Sequence, residues 1–202
     1  MNSGKKAKMT FKENIDKTEL VNYPVSGFMG DIVLVDTYKK LKRSIGVLKS
    51  CDMLGFDTET KPSFKKGKVN SVALMQLSNG RQAFIFRVNM IGLPDEIIDI
   101  LSDKSIIKAG VAIHDDIKGL KNISDFKENG FVELQDYVKE FGIKSSGLRK
   151  MSAIILGFRV SKRQQVSNWE ASDLNDAQLL YAATDAWVCY EIYKKLSRHI
   201  PQ

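Results

Sequence analysis

The chain has 202 residues, 43% hydrophobic and 27% charged, which suits one soluble globular domain with a sizeable core. Its 31 basic residues outnumber its 24 acidic ones for a net charge of +7, and no apolar run approaches the length of a membrane span. Cys51 and Cys189 are too few for a disulfide framework or a zinc site, and no apolar stretch follows the N-terminal lysines, so a cytoplasmic protein without a secretory signal is expected. Residues 1–18 are polar, lysine-rich and without a sustained period; they are expected as a flexible basic tail, with the domain proper over 19–202. A β-rich run at 31–35 precedes a helix over 37–49, with Tyr38, Leu41, Ile45 and Leu48 on one face. A strand follows over 53–59, then a basic loop over 60–69. Two more strands, 72–77 and 82–86, are joined by Asn79-Gly80, the strongest hairpin signal in the chain. Pro94 opens a helix to about 101, and 106–113 reads as a strand buried on both faces. A helix over 115–120, a short strand at 131–134 and helices over 135–142 and 147–156 come next. After a polar, basic loop over 157–168, a long helix spans 175–196, with Asn175 as N-cap and Gln178 completing a capping box. The order of elements predicts an α/β fold, a central mixed β-sheet flanked by helices.

Three segments carry carboxylates beside apolar runs, where charge is costly unless something cationic compensates it. On the strand over 53–59, Gly55, Asp57 and Glu59 share one face while Leu54 and Phe56 point the other way. Two carboxylates at i, i+2 repel each other when ionised, and a divalent cation removes that penalty. Alone, the pair also reads as a half-exposed polar face. Asp115 and Asp116 follow the apolar run over 106–113. On the last helix Tyr181 and Asp185 stack at i, i+4, and Ala182, Ala183 and Ala186 are small enough for close approach to the sheet. Alone, Tyr181 also reads as a core aromatic and Asp185 as a surface acid.

Taken together and in order, these segments resemble the DEDD exonuclease superfamily, and more closely its tyrosine subgroup, which contains ribonuclease D and the Werner-syndrome exonuclease domain. The likeness is carried by Gly55-Phe56-Asp57-Thr58-Glu59, by Ala73-Leu74-Met75-Gln76-Leu77, by Lys108-Ala109-Gly110-Val111 through Asp116, and by Ser167-Asn168-Trp169, Leu174, Gln178 and Tyr181-Ala182-Ala183-Thr184-Asp185-Ala186. It spans roughly residues 30–196. Counted from Gly110, the second motif's aspartate falls on Asp116, with Asp115 in reserve. The histidine of the superfamily's other branch would stand at Leu180, so the tyrosine mechanism is the one available.

The resemblance implies a ribonuclease-H-like fold and a 3′–5′ exonuclease that releases 5′-mononucleotides with two divalent cations, Mg2+ or Mn2+. It implies that Asp57 bridges both ions, that Glu59 and Asp185 bind the one holding the nucleophilic water, and that Asp116 supports the second through its water shell. Tyr181 would orient the attacking water, since a phenol with pKa near 10 is a poor base at neutral pH. A non-catalytic nucleic-acid-binding module on the same fold is the alternative, and a ribonuclease-H-type endonuclease a further one.

Charge segregation adds the partner. Residues 61–68 and 144–163 hold ten cationic side chains and no acid, the footprint of a polyanion surface. Phe64, Lys65, Lys66 and Lys68 are therefore candidates to contact the substrate's terminal nucleotide, and Arg159, Lys162 and Arg163 to contact phosphates near the acids. Trp169 either stacks a base or anchors its loop on the long helix, and anchoring is favoured.

Overall fold

The computed structural model describes residues 10–63 and 70–199. In chain order its elements are α1 (Lys17–Leu20), β1 (Asp31–Val35), α2 (Tyr38–Lys49), β2 (Met53–Thr60), β3 (Val72–Ser78), β4 (Gln82–Phe86), α3 (Val88–Ile91), α4 (Asp95–Ser102), β5 (Ile107–Gly110), α5 (Ile113–Lys121), β6 (Phe131–Glu133), α6 (Leu134–Tyr137), a 3₁₀ turn (Val138–Phe141), α7 (Leu148–Leu156) and α8 (Asp176–Leu196). The strands form one sheet in the order β1-β4-β3-β2-β5-β6. β3 is antiparallel to both β2 and β4, while β1 pairs with β4, β2 with β5 and β5 with β6 in parallel. This is the mixed sheet with flanking helices that the order of elements predicts. The β3–β4 turn works because Asn79 Oδ1 accepts from the backbone N–H groups of Arg81 (3.0 Å) and Gln82 (2.8 Å), while Gly80 takes a left-handed φ of 88°.

Strand alternation divides the molecule into two layers. Leu54, Phe56, Met75, Leu77, Phe84 and Phe86 face α2, α4 and α5 and build the larger core. The opposite face carries Leu74, Ala83 and Ile85 under Ala182 and Ala183 of α8, and Ala109 under α7 and the second half of α8. A long helix can lie this near the sheet because its contact residues are alanines. Lys108 is fully buried and donates from Nζ to the carbonyls of Ile100 (2.9 Å) and Asp103 (2.7 Å), satisfying acceptors at the C-terminus of α4. Burial lowers its pKa to about 8.

Three expectations need correction. The strand expected over 106–113 ends at Gly110. Ala112 then adopts a left-handed φ of 58°, and the helix begins at Ile113, which places His114 in its first turn. A Cβ on Gly110 would lie 2.5 Å from Ile113 Cγ2 and 2.8 Å from the Phe56 carbonyl oxygen, so the residue just before the turn has no room for a side chain. The helix expected over 135–142 is one α-turn followed by the 3₁₀ turn. The tail expected over 1–18 is packed across its described part. Ile15 is buried against Leu20 and Ala153, Phe11 meets Phe141 edge to face, and Lys144 N–H donates to the Glu13 carbonyl at 2.7 Å. Two apolar residues in a polar stretch have no period, and only a distant partner reveals their burial.

Candidate active site

Asp57 and Glu59 leave the end of β2 on the face that α8 crosses. The crossing is set by Gly55, where a Cβ would overlap the Ala186 carbonyl oxygen and lie 2.6 Å from the Tyr190 nitrogen. The start of α8 is fixed by the capping box. Asn175 Oδ1 accepts from Gln178 N–H at 2.9 Å, and Gln178 Oε1 accepts from Asn175 N–H at 3.1 Å. Two turns further on, Tyr181 and Asp185 stand over β2. Asp57, Glu59 and Asp185 each bring a carboxylate oxygen to within 4.8 Å of the others.

Electrostatics follow from that crowding. Burial first, then the neighbouring acids Asp185, Glu59 and Asp116, raises the Asp57 pKa well above the carboxylate range. Glu59 is pushed up to about 9 by burial and by Asp185 and Asp116. Asp185 rises to about 7 through burial, opposed by a hydrogen bond from the Tyr181 hydroxyl. The Tyr181 phenol is itself raised, by burial and then by Asp185 and Glu59, so it stays protonated. No cationic side chain forms an ion pair with any of these carboxylates among the described residues. Three hard oxygen donors that resist ionisation in each other's company suit a divalent cation.

Asp116 lies outside that trio and approaches from the α5 side of β2, where Thr58 Oγ1 donates to its carboxylate. Its pKa rises to about 6, chiefly from burial. Asp115 is exposed. The turn before α5 is held by a residue the sequence reading missed. The Glu133 carboxylate accepts from Ala112 N–H (3.0 Å), Ile113 N–H (2.9 Å) and Gln135 N–H (2.9 Å), offsetting the strain of a non-glycine left-handed residue. Only the pairing of β6 with β5, which sets Glu133 opposite Gly110, could have exposed that role.

A cleft of about 950 Å3 opens over the acids, lined by Asp57, Glu59, Tyr181 and Asp185 and walled by Lys17, Lys144, Arg149, Lys150 and Lys162. An adjoining concavity of about 580 Å3 is lined by Arg149, Arg159, Lys162 and Arg163 with Val25 and Ser161. Lys162 and Arg163 are exposed, and Arg159 is held by its Nε donating to the Tyr23 carbonyl at 3.0 Å. The basic segments are not wholly free of acids in space, since Lys61 pairs with Glu170 and Lys144 with Glu13. Phe64, Lys65, Lys66 and Lys68 lie outside the described residues.

Trp169 is corrected as a base-stacking platform. It is fully buried, with its ring 5.9 Å from that of Tyr181, so no face is open to a nucleotide. It anchors the loop before α8, and buried Arg87 pins the next residues by donating to the carbonyls of Ala171 (2.6 Å) and Ser172 (3.1 Å).

Comparison with known proteins agrees with this geometry. A family model described as a 3′–5′ exonuclease matches residues 32–201. The bifunctional 3′–5′ exonuclease/ATP-dependent helicase WRN of Mus musculus is 34% identical over 186 residues, covering 87% of this chain and 13% of that protein. The exonuclease 3′–5′ domain-containing protein 2 of Drosophila melanogaster is 36% identical over 152 residues, 73% of this chain and 26% of that protein. The chain thus spans a minor part of these two relatives. Among solved structures, the Aedes aegypti Nibbler EXO domain superposes with a TM-score of 0.75 at 24% identity, covering 86% of this chain and 92% of that one. Escherichia coli RNase D superposes with a TM-score of 0.72 at 22% identity, over 81% of this chain and 44% of that one. These structural likenesses show the fold, which is ribonuclease-H-like. No helix among the described residues is long and apolar enough to cross a membrane.

Proposed function

The chain belongs to the 3′–5′ exonuclease family, and from that premise we propose that it hydrolyses the terminal phosphodiester bond at the 3′ end of a nucleic-acid strand and releases 5′-mononucleotides. The observation that carries this reading is the convergence of Asp57, Glu59 and Asp185 within 4.8 Å, beside a protonated tyrosine and under a cationic cleft. Asp57, Glu59 and Asp185 would hold two divalent cations, Mg2+ or Mn2+, with Asp116 assisting from the α5 side. When bound, such ions supply Lewis-acid charge stabilisation at phosphorus and a nucleophilic water at neutral pH. The residues themselves do the rest. Tyr181, kept protonated by burial and by its acidic neighbours, orients the attacking water through its hydroxyl and cannot serve as the base. The buried Trp169 ring limits the positions Tyr181 can take. Lys162, Arg159 and Arg163 neutralise backbone phosphates leading into the cleft, a contact that positions the strand without reading its sequence. The unpaired cysteines Cys51 and Cys189 fit a reducing compartment, the cytoplasm.

The test is a 5′-labelled single strand incubated with the protein and Mg2+ or Mn2+, run beside duplex and recessed-end DNA and RNA. Progressive one-nucleotide shortening that needs the cation is expected. Internal fragments would instead assign an endonuclease, and cation-independent binding without cleavage a binding module.

A further inference from the structure

Gln76 is a buried polar group that the proposed chemistry leaves unused. It stands on β3 directly opposite Asp57 in the antiparallel register, and on its other side it opposes Ile85 of β4. Directly opposite residues of an antiparallel pair point to the same face, with Cβ atoms about 4.5–5.5 Å apart. Gln76 therefore projects with Asp57 into the layer under α8. It is 0% exposed, and neither Nε2 nor Oε1 has a hydrogen-bond partner. Apart from Asp57, two of its strand neighbours on that face are apolar. Leu74, two residues earlier on the same face, and Ile85 belong to one buried cluster with Ala182, Ala183 and Trp169. Trp169, in the same cluster, brings another unpaired polar atom, its indole Nε1. An unpartnered amide in such a place costs stability that leucine or methionine would not, so its presence calls for an explanation.

We propose that Gln76 is a positioning residue for Asp57: in the cation-loaded enzyme its Nε2–H donates to the Asp57 carboxylate while its Oε1 accepts the Trp169 indole N–H. One chain of two hydrogen bonds satisfies all three orphan atoms. Its chemistry balances, with an indole that only donates, an amide that donates and accepts, and a carboxylate that only accepts. It would fix the carboxylate's orientation from the side away from the cleft, as groups behind metal ligands do elsewhere. Burial of Trp169 then serves the site as well as the loop. The proposal rests on the reading of Asp57 as a cation ligand.

The test compares wild type, Gln76→Met, Trp169→Phe and the double variant by two readouts: thermal shift against Mn2+ without substrate, and turnover at saturating Mn2+. Gln76→Met should melt at or above the wild-type temperature without cation. Its Mn2+ midpoint should rise, and its turnover fall, by roughly 10- to 100-fold. Trp169→Phe should move both in the same direction by less, and the double variant should be no worse than Gln76→Met alone. A folded Gln76→Met with the wild-type midpoint overturns the proposal, as do effects that multiply in the double variant. Failure of Gln76→Met to fold overturns it too, by making the amide a folding determinant. Absence of cleavage by wild type, with the Mn2+ shift present and weakened in Gln76→Met, overturns the exonuclease reading but supports this one. Absence of any Mn2+ shift in wild type overturns both.

Discussion

Each acid of the trio is worse off in the folded protein than in water, because folding removes hydration and brings like charges together. Asp57 shows this most plainly, with three acidic neighbours raising its pKa and only a backbone hydrogen bond opposing them. Replacing it with a neutral isostere separates what the site costs from what it does. Asp57→Asn should raise the melting temperature of the cation-free protein by a few degrees, since about 1 kcal/mol corresponds to about 2–4 °C in a domain of this size. The same change should lower cleavage by roughly a thousandfold or more. Thermal shift in chelator and single-turnover kinetics measure the two effects, and a cation-free melting temperature below wild type would contradict the account of Asp57 as a strained acid.

At the scale of elements, the site depends on how closely α8 lies on β2 and on where α5 starts. Gly55→Ala would drive a methyl group into the Ala186 carbonyl, so it should destabilise by about 3 kcal/mol or more and displace Asp185 from Asp57. Gly46 is the matched control. It is exposed on α2 with nothing within 4 Å of an added Cβ, so Gly46→Ala should stabilise by about 0.5–1 kcal/mol. Denaturant midpoints for the pair test whether close crossing, rather than glycine as such, is what Gly55 provides. The left-handed Ala112 and its Glu133 clamp decide which aspartate of α5 turns inward. Asp116→Ala should therefore reduce turnover far more than Asp115→Ala, and equal effects would count against the assignment.

Across the whole molecule the acids couple stability to pH and to cations. Their folded pKa values are raised, to about 6 for Asp116, about 7 for Asp185 and about 9 for Glu59, against about 4 when unfolded. The folded state thus binds more protons than the unfolded one over that window. The stability these groups contribute is complete below the unfolded carboxylate pKa and is lost as pH rises through about 6 to 9. Cations bind the ionised form, so the melting-temperature rise on adding Mn2+ should be small near pH 5.5 and grow toward pH 8. A rise that shrinks with pH would reverse the sign of the argument. The cationic walls act at longer range. Each phosphate contact on a single strand adds about 0.7 to the slope of log affinity against log salt. Neutralising Arg159, Lys162 and Arg163 together should flatten that slope by about one to two units, alike for different sequences. Binding to the uncleaving Asp57→Ala protein across a salt series measures it, and an unchanged slope would mean that these side chains face away from the strand.

Local pattern determined much of this protein. The Asn79-Gly80 turn, the alternation that puts Gly55, Asp57 and Glu59 on one face, the capping box at Asn175 and the i, i+4 stacking of Tyr181 with Asp185 each depend on neighbours within a few residues, and each is found in the structure. Tertiary structure decided what depends on partners far along the chain. Ile15 is core because Ala153 meets it, Trp169 is buried because α8 closes over its loop, and β5 stops at Gly110 because left-handed Ala112, held by the distant Glu133, turns the chain into α5. Glu133 carries no signal in its own segment, and Gln76 stands in a strand that resembles the family without showing a role of its own. One caps α5 through the β5–β6 register and the other stands beside Asp57 through the β2–β3 register. Side-chain direction along a strand is a local property; which residue it meets across the sheet is set only when distant strands pair.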